Sequence, residues 1–438
     1  MKRYGATVIS YEEALSTILA AVHPLSGETV PIAQASGRVL TQDVSAALDA
    51  PRADVSAMDG YAVRIGDAAG EGSLTTVGEA AAGAPFAGHL NAGEAVRIFT
   101  GAHLPAGADC VVMQEYAERD GDKVRFREGF GPARHIRTKA GDFSAGDVLL
   151  EKGQRLHPRA MVSLAGADIA RVEVARRPRI ALIATGDELA EPGRAAQLPH
   201  AIPESGSFGV AALAESRGGA IAARMTGRDE LESLRRFAQD ALDSADCVVV
   251  IGGASVGDHD LARPMFAGTG LQEHFAKVAI KPGKPVWFGM AGEKPVLGLP
   301  GNPTSAMVTA RLFLAPLIAA LQGGRPGAET QFMPHLLAAD LPPNGSRETF
   351  VRARATQEGL LPATNQQSGA QAPLAASDWL IRRAVGADAA AAGSGGVGPW
   401  APCMGSWAPN LPGGGPSPLG PQCGKGARGT LRAYGLGV

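Results

Sequence analysis

Cysteine is scarce in this chain: there are four in 438 residues. Cys110, Cys247, Cys403 and Cys423 include no CxxC pair, so neither a disulfide framework nor a thiolate metal centre is expected. Cys110 and Cys247 each open a valine run and read as core residues. An excess of charge is also lacking. The 41 basic and 43 acidic side chains leave a net charge of -2, which provides no footprint for nucleic acid or an anionic membrane. No apolar h-region follows Met1-Lys-Arg, so no signal peptide is expected. No run reads as a bilayer span. Residues 302–322 come closest, but Asn302, Arg311 and Gln322 interrupt or flank them, and their periodicity suits a packed helix. The expectation is a cytoplasmic protein. Composition of 45% hydrophobic and 19% charged residues fits a globular chain, and the length suggests two to four domains at roughly 100–200 residues each.

The pattern changes character along the chain. Residues 10–23 read as a helix, with Ser10 as N-cap and Glu13 completing a capping box. Residues 27–49 read as short strands and a turn. From Pro51 to about Ala140, glycine and proline punctuate short runs such as 95–99 and 110–113, the pattern of a β-rich insert. A helix is expected from Pro158 to about Ala167. From Arg177 strand and helix alternate: strands at 180–185, 220–225 and 247–251, helices at 204–217 and 229–242, further strands within 274–299, and a long apolar helix at 302–322. Such alternation predicts a three-layer α/β domain with a mostly parallel sheet. Residues 327–383 read as a small β domain. From about Ala391 glycine and proline dominate without an apolar period, and the stretch reads as a disordered tail.

The chemistry-bearing residues gather at the ends of the expected strands, where ligands bind in open α/β sheets. The apolar run 247–251 stops at Gly252-Gly253. The loop that follows carries Ser255, Gly257, Asp258, His259 and Asp260. Bare glycine backbone lets N–H groups approach a phosphate, and aspartates can hold a divalent cation. The strand at 180–185 ends in Thr185-Gly-Asp-Glu-Leu189. Asp187 and Glu188 there suit Mg²⁺, which prefers oxygen ligands; equally, Asp187 suits the cap of a turn. Lys277, Lys281 and Lys284 surround a Pro-Gly turn where lysine can neutralise an oxyanion. Lys284 is followed by Pro285, so this is no Walker A loop. Leu299-Pro-Gly-Asn-Pro303 opens the long helix, with Asn302 read as a plain N-cap and Pro303 in the first turn. In the insert, Asp59 before Gly60 reads as a turn residue.

Taken together, Ser56-Ala-Met-Asp-Gly-Tyr-Ala62, Thr100-Gly-Ala, Arg137 with Gly141-Asp142, Thr185-Gly-Asp-Glu-Leu189, the 252–260 loop, Lys281-Pro-Gly-Lys-Pro285 and Leu299-Pro-Gly-Asn-Pro303 occur in an order that resembles the molybdopterin molybdenumtransferases of the MoeA type, relatives of the gephyrin E domain. The resemblance covers residues 7–383. It implies a multidomain α/β plus β protein: a discontinuous N-terminal domain (1–49 and 141–177), the β-rich insert (50–140), a molybdopterin-binding α/β domain (178–326) and a small C-terminal β-barrel (327–390), with 391–438 left as the tail. It implies a homodimer whose active site lies between the α/β domain of one subunit and the insert of the other. The implied reaction inserts molybdate into adenylylated molybdopterin and releases AMP. Molybdopterin brings its own two sulfurs, so the scarcity of cysteine fits.

The resemblance also implies site roles. Asp59, Thr100, Arg137, Asp142, Glu188 and Asp229 would be catalytic. Thr185, Gly186, Gly252, Gly253, Ser255, Gly257, Lys277, Lys281, Lys284, Pro300, Gly301 and Ser368 would bind substrate. Asp187, Glu188, Asp258 and Asp260 would hold Mg²⁺. A molybdopterin adenylyltransferase is the implied partner. The chain departs from the family at Gly206, where asparagine is common, at Ala254, and in the tail. Two other readings stand beside this one: an adenylyltransferase-like or nucleotide-hydrolysing relative that shares the α/β domain, and a gephyrin-like scaffold.

Overall fold

The computed structural model describes residues 8–70, 72–253, 261–396 and 432–435. At its centre is a six-stranded sheet. Its order is Ala220–Gly227, Arg179–Thr185, Cys247–Ile251, Lys294–Leu299, Trp287–Ala291, Leu271–Phe275. The first four strands run parallel, and the last two are antiparallel. Both faces are covered, and the period-2 geometry of the strands sorts their side chains. Ile180, Leu182, Cys247 and Val249 enter one core; Ala181, Ile183, Val248 and Val250 enter the other. The first core includes the helix Pro303–Leu321, long and apolar enough to cross a membrane but 89% buried over its most apolar window. Pro316 sits within it. A proline lacks the N–H that the carbonyl four residues earlier needs, and the helix widens to a π-type stretch over Ala310–Leu314 beside it.

The first helix, Tyr11–Ala21, has the expected capping box: Glu13 N donates to Ser10 Oγ at 3.1 Å and Ser10 N to Glu13 Oε2 at 2.7 Å. Its buried face does not stay with 27–49. Tyr11, Ala14 and Ile18 join the α/β core, and Tyr11 meets the rings of Phe313 and Phe350 at 5.6 and 5.4 Å. Residues 27–49 and 148–175 form their own unit. Gly27–Pro31 pairs antiparallel with Arg171–Ala175, Val44–Ser45 with Val148–Leu150, and the helix Pro158–Gly166 packs Ala160 and Leu164 onto Leu40 and Val174.

The insert is a six-stranded sheet in the order Cys110–Met113, Gly60–Val63, Glu94–Ile98, Leu74–Ala80, Lys123–Phe126, Ala117–Asp120. The C-terminal β unit centres on Glu348–Thr356, flanked by Ile280–Lys281, Gly359–Pro362 and Trp379–Arg383. The tail departs from expectation where it is described. Gly395–Gly396 pairs with His335–Leu336, and Arg432–Gly435 pairs with Trp379–Arg383. An edge strand offers a row of open N–H and C=O groups, which any extended segment can satisfy whatever its composition.

Candidate active site

A cleft of about 890 Å³ opens at the carboxyl ends of the parallel strands. Its floor is made where Arg179–Thr185, Cys247–Ile251 and Lys294–Leu299 hand over to loops. Thr185, Gly186, Glu188, Gly252, Gly253, Pro300 and Gly301 line it there. The two glycine turns are pressed together. Gly252 has φ +98°, and a Cβ on it would lie 2.6 Å from the Thr185 carbonyl oxygen; a Cβ on Gly301 would lie 3.3 Å from Gly252 Cα. Gly252 N donates to Leu299 O at 3.1 Å. No side chain fits between these backbones, which leaves peptide groups facing the cleft.

Lys277, Lys284 and Asp229 complete the charged lining. Neither lysine ammonium is paired with a carboxylate among the described residues, so both can meet an anionic group, in a lining that also carries the carboxylates of Glu188, Glu204 and Asp229. Asp229 is placed by its neighbour strand-end turn: its N–H donates to Asp187 Oδ1 at 3.1 Å. Asp187 therefore supports the wall and does not itself line it. Lys281 also stays out of the lining; it is exposed on the short strand that pairs with Glu348–Thr356. Ser255, Gly257, Asp258 and Asp260 lie outside the described residues.

Several lining residues lacked a decisive local signal. Asn302 begins the long helix, but its side chain makes no cap bond; Nδ2 donates to Ser368 Oγ at 3.2 Å. The plain-cap reading of Asn302 is thus corrected, since a partner 66 residues away captures the amide. Thr304 Oγ1 donates to Ala370 O at 2.9 Å, and together these bonds bring Gly369 and Gln371 to the cleft wall. Arg352, itself 1% exposed, holds the same loop from behind through the carbonyls of Asn365, Gln367 and Ala370. Opposite, Glu204, Ser205 and Gly206 line the cleft at the start of the helix Gly206–Ser216. Glu204 is 2% exposed and accepts from Ser207 N at 2.8 Å and Ser207 Oγ at 2.5 Å. The hydroxyls of Thr185 and Ser205 are buried with no hydrogen-bond partner among the described residues. Buried hydroxyls are ordinarily satisfied, so both are placed to meet a ligand. The helix-start motif could have pointed to Ser205; nothing local pointed to Gln371.

The remaining expected residues form a separate group on and beside the insert. Asp59 Oδ1 accepts from Thr100 N at 2.7 Å and from Thr100 Oγ1 at 2.8 Å. The backbone bond, then the hydroxyl bond, hold the Asp59 carboxyl below the usual range, so it stays ionised. Arg137 is exposed on Ile136–Arg137, which pairs with Val55–Ser56. Asp142 is exposed, its N–H bonded to Ala50 O at 2.9 Å. None of these four lines the cleft.

The donor set for a cation is oxygen only. Among the described residues no three of His, Cys, Asp and Glu gather as a metal group. Among the described residues, Asp187 and Glu188 are neighbours at the strand end, with Asp187 Oδ1 accepting the Asp229 N–H. Two carboxylates suit Mg²⁺, which keeps its other positions for water and substrate phosphates; they do not suit a resident soft metal.

Residues 9–167 match the MoeA N-terminal region (domain I and II), and residues 181–320 match a probable molybdopterin binding domain. The molybdopterin molybdenumtransferase of Nostoc sp. is 36% identical over 332 residues, covering 74% of this chain and 76% of that protein. That of Haemophilus influenzae is 37% identical over 319 residues, covering 72% and 78%. The crystal structure of the molybdopterin biosynthesis MoeA protein from Pyrococcus horikoshii OT3 matches with a TM-score of 0.77 at 27% identity, over 89% of this chain and 98% of that one. At these identities and coverages, and with both regions matched, the chain belongs to the molybdopterin molybdenumtransferase family.

Proposed function

We propose that the protein inserts molybdate into adenylylated molybdopterin with release of AMP, the closing step of molybdenum cofactor assembly. The observation that carries this reading is the cleft itself: two touching glycine turns, and two lysines without an ion pair and two buried hydroxyls without a hydrogen bond among the described residues, around about 890 Å³. That volume is within the usual range for small-molecule sites, on the order of 300–1,000 Å³. In this reading the peptide groups of Gly253 and Gly301 approach the phosphates, while the Gly252 N–H is held by Leu299 O and fixes the turn. Lys277 and Lys284 offset the charge of two anions, molybdate and pyrophosphate linkage, that repel each other in water. Thr185 and Ser205 supply hydrogen bonds that fix the substrate's orientation. Asp187 and Glu188 are the described residues that would hold Mg²⁺, with Asp258 and Asp260 part of the same proposal; the ion would supply further charge neutralisation at the phosphates.

The group around Asp59 would complete the site in a homodimer, the insert of one copy facing the cleft of the other. Its support is that Asp59 is pre-positioned and ionised by Thr100 yet does not line the strand-end cleft of its own chain. A molybdopterin adenylyltransferase as substrate donor and a cytoplasmic location belong to the same reading, the latter supported by the free, buried thiols of Cys110 and Cys247. The test is AMP release from adenylylated molybdopterin by the purified protein with Mg²⁺. Release that requires molybdate is the expected result. Equal release without molybdate would mark a hydrolase and overturn the reading.

A further inference from the structure

A second cavity, of about 570 Å³, lies where the discontinuous unit meets the α/β core. It is distinct from the cleft. The helix Gly206–Ser216 lines the cleft with its first residue and the second cavity with its last, so roughly 16 Å of helix separates them.

Five arginines line this cavity, Arg155, Arg159, Arg177, Arg217 and Arg325, against two carboxylates, Glu215 and Glu329. Arg217 Nη1 pairs with Glu329 Oε2 at 3.0 Å, and Arg325 pairs with Glu151 at 2.5 Å. Glu329 is further shared with Arg311 at 3.5 Å. Three more arginines line the space, Arg155, Arg159 and Arg177, and none makes an ion pair among the described residues. Arg155 is partly buried and fixed. Its Nη1 donates to Gly37 O at 2.7 Å and its Nη2 to Arg217 O at 3.0 Å. Both acceptors are neutral carbonyls, so the guanidinium is held in place without a direct ion pair among the described residues, its charge met only at longer range by Glu329. Burial pushes its proton affinity down; Glu329 opposes this, while Arg217 and Arg177 add repulsion. An arginine does not escape by losing its proton. A partly buried cation without a counterion is costly, and an anion in the cavity would relieve the cost. The accessible apolar lining is Pro158 and Ala328, while Val39 and Leu156 are buried. The start of the nine-residue helix Pro158–Gly166 adds its partial positive end.

We propose that this cavity is a second anion site that takes a phosphorylated small molecule, its phosphate held by Arg155, Arg159 and Arg177 and its organic part laid on Pro158 and Ala328. Guanidinium forks match phosphate oxygens bidentately, and the apolar lining gives the organic part a surface that free phosphate would not use.

Isothermal titration calorimetry of the full chain, with ADP and with inorganic pyrophosphate as probes, tests this. Two classes of ADP site per chain are expected. Lys284→Gln should weaken the cleft class alone. Arg155→Gln should weaken the other class roughly tenfold or more, as the loss of charge-assisted bonds implies. Arg177→Gln, at an exposed side chain with no hydrogen bond to lose among the described residues, should weaken that class several-fold and carries the test if Arg155→Gln does not fold. ADP binding tighter than pyrophosphate at the Arg155 class supports an organic phosphate; the reverse order overturns the role given to the apolar lining. A single class removed by Lys284→Gln and untouched by both arginine variants overturns the proposal, as does no binding of either probe.

Discussion

One methyl group at position 252 is enough to disturb the cleft. With φ at +98° and the Thr185 carbonyl 2.6 Å from where a Cβ would sit, Gly252→Ala combines backbone strain with a clash against backbone. Such strain costs on the order of 1–3 kcal/mol, and the loop must move to relieve it. Molybdate-dependent AMP release should fall roughly tenfold or more, while circular dichroism keeps the wild-type spectrum; unchanged turnover would remove this turn from the site. Cys247 makes the opposite case, a reactive residue type made inert. Burial, and then the charge of Asp246, push its thiol up to about 12. Peptide mapping after alkylation at pH 8 should find Cys247 unmodified in the native protein and modified once it is unfolded. This is the core role that its place at the head of a valine run predicts.

At the scale of elements, the junction between the discontinuous unit and the α/β sheet rests on Asp246. Burial acts to raise its carboxyl; the fork from Arg176, at 2.5 and 2.9 Å, and the Arg179 N–H at 2.8 Å more than offset this. The net shift is downward, so the stabilisation is fully present above the ordinary carboxylate range and is lost as pH falls through the depressed value. Asp246→Asn should cost about 1–3 kcal/mol near neutrality. In urea titrations the gap between variant and wild type should close as pH falls below about 4; a constant gap would show that the charge is not what matters. Elements were also the level most legible from pattern. The capping box of Ser10 and Glu13, the central strands and the apolar helix that became Pro303–Leu321 follow from local spacing, because a helix or strand is stabilised by neighbours close in sequence. The destination of the first helix was not legible. Tyr11 finds Phe313 and Phe350 only after the whole chain has folded.

At the scale of the molecule, the cleft and the Asp59 group are separate within one chain, and the proposed homodimer joins them. Asp59→Asn and Lys284→Gln should each abolish turnover alone. Mixed in equal amounts and allowed to exchange subunits, they should recover about a quarter of wild-type activity, since half the dimers are mixed and each keeps one intact site. No recovery after verified exchange would place both halves in one chain's site or outside it. The N-terminal helix and the C-terminal β unit are tied in the same way across the fold. Arg382 pairs with Glu12 and Glu348 and lies 5.0 Å over the rings of Tyr11 and Phe332, so changes near either end reach the core that carries the cleft.

The sequence by itself determined the parallel strand ends, the glycine turns and the lysines, because each is specified by local backbone demand: β-branched runs, bare glycine at positive φ, a Pro-Gly turn. Only the tertiary structure decided that Asn302 holds Ser368 instead of capping its helix, that Asp187 supports Asp229, that Lys281 is outside the cleft lining, and that Arg155 is held by carbonyls and not by an ion pair among the described residues. Those outcomes depend on which groups meet across distant parts of the chain, and a polar side chain takes the partner that packing brings within reach.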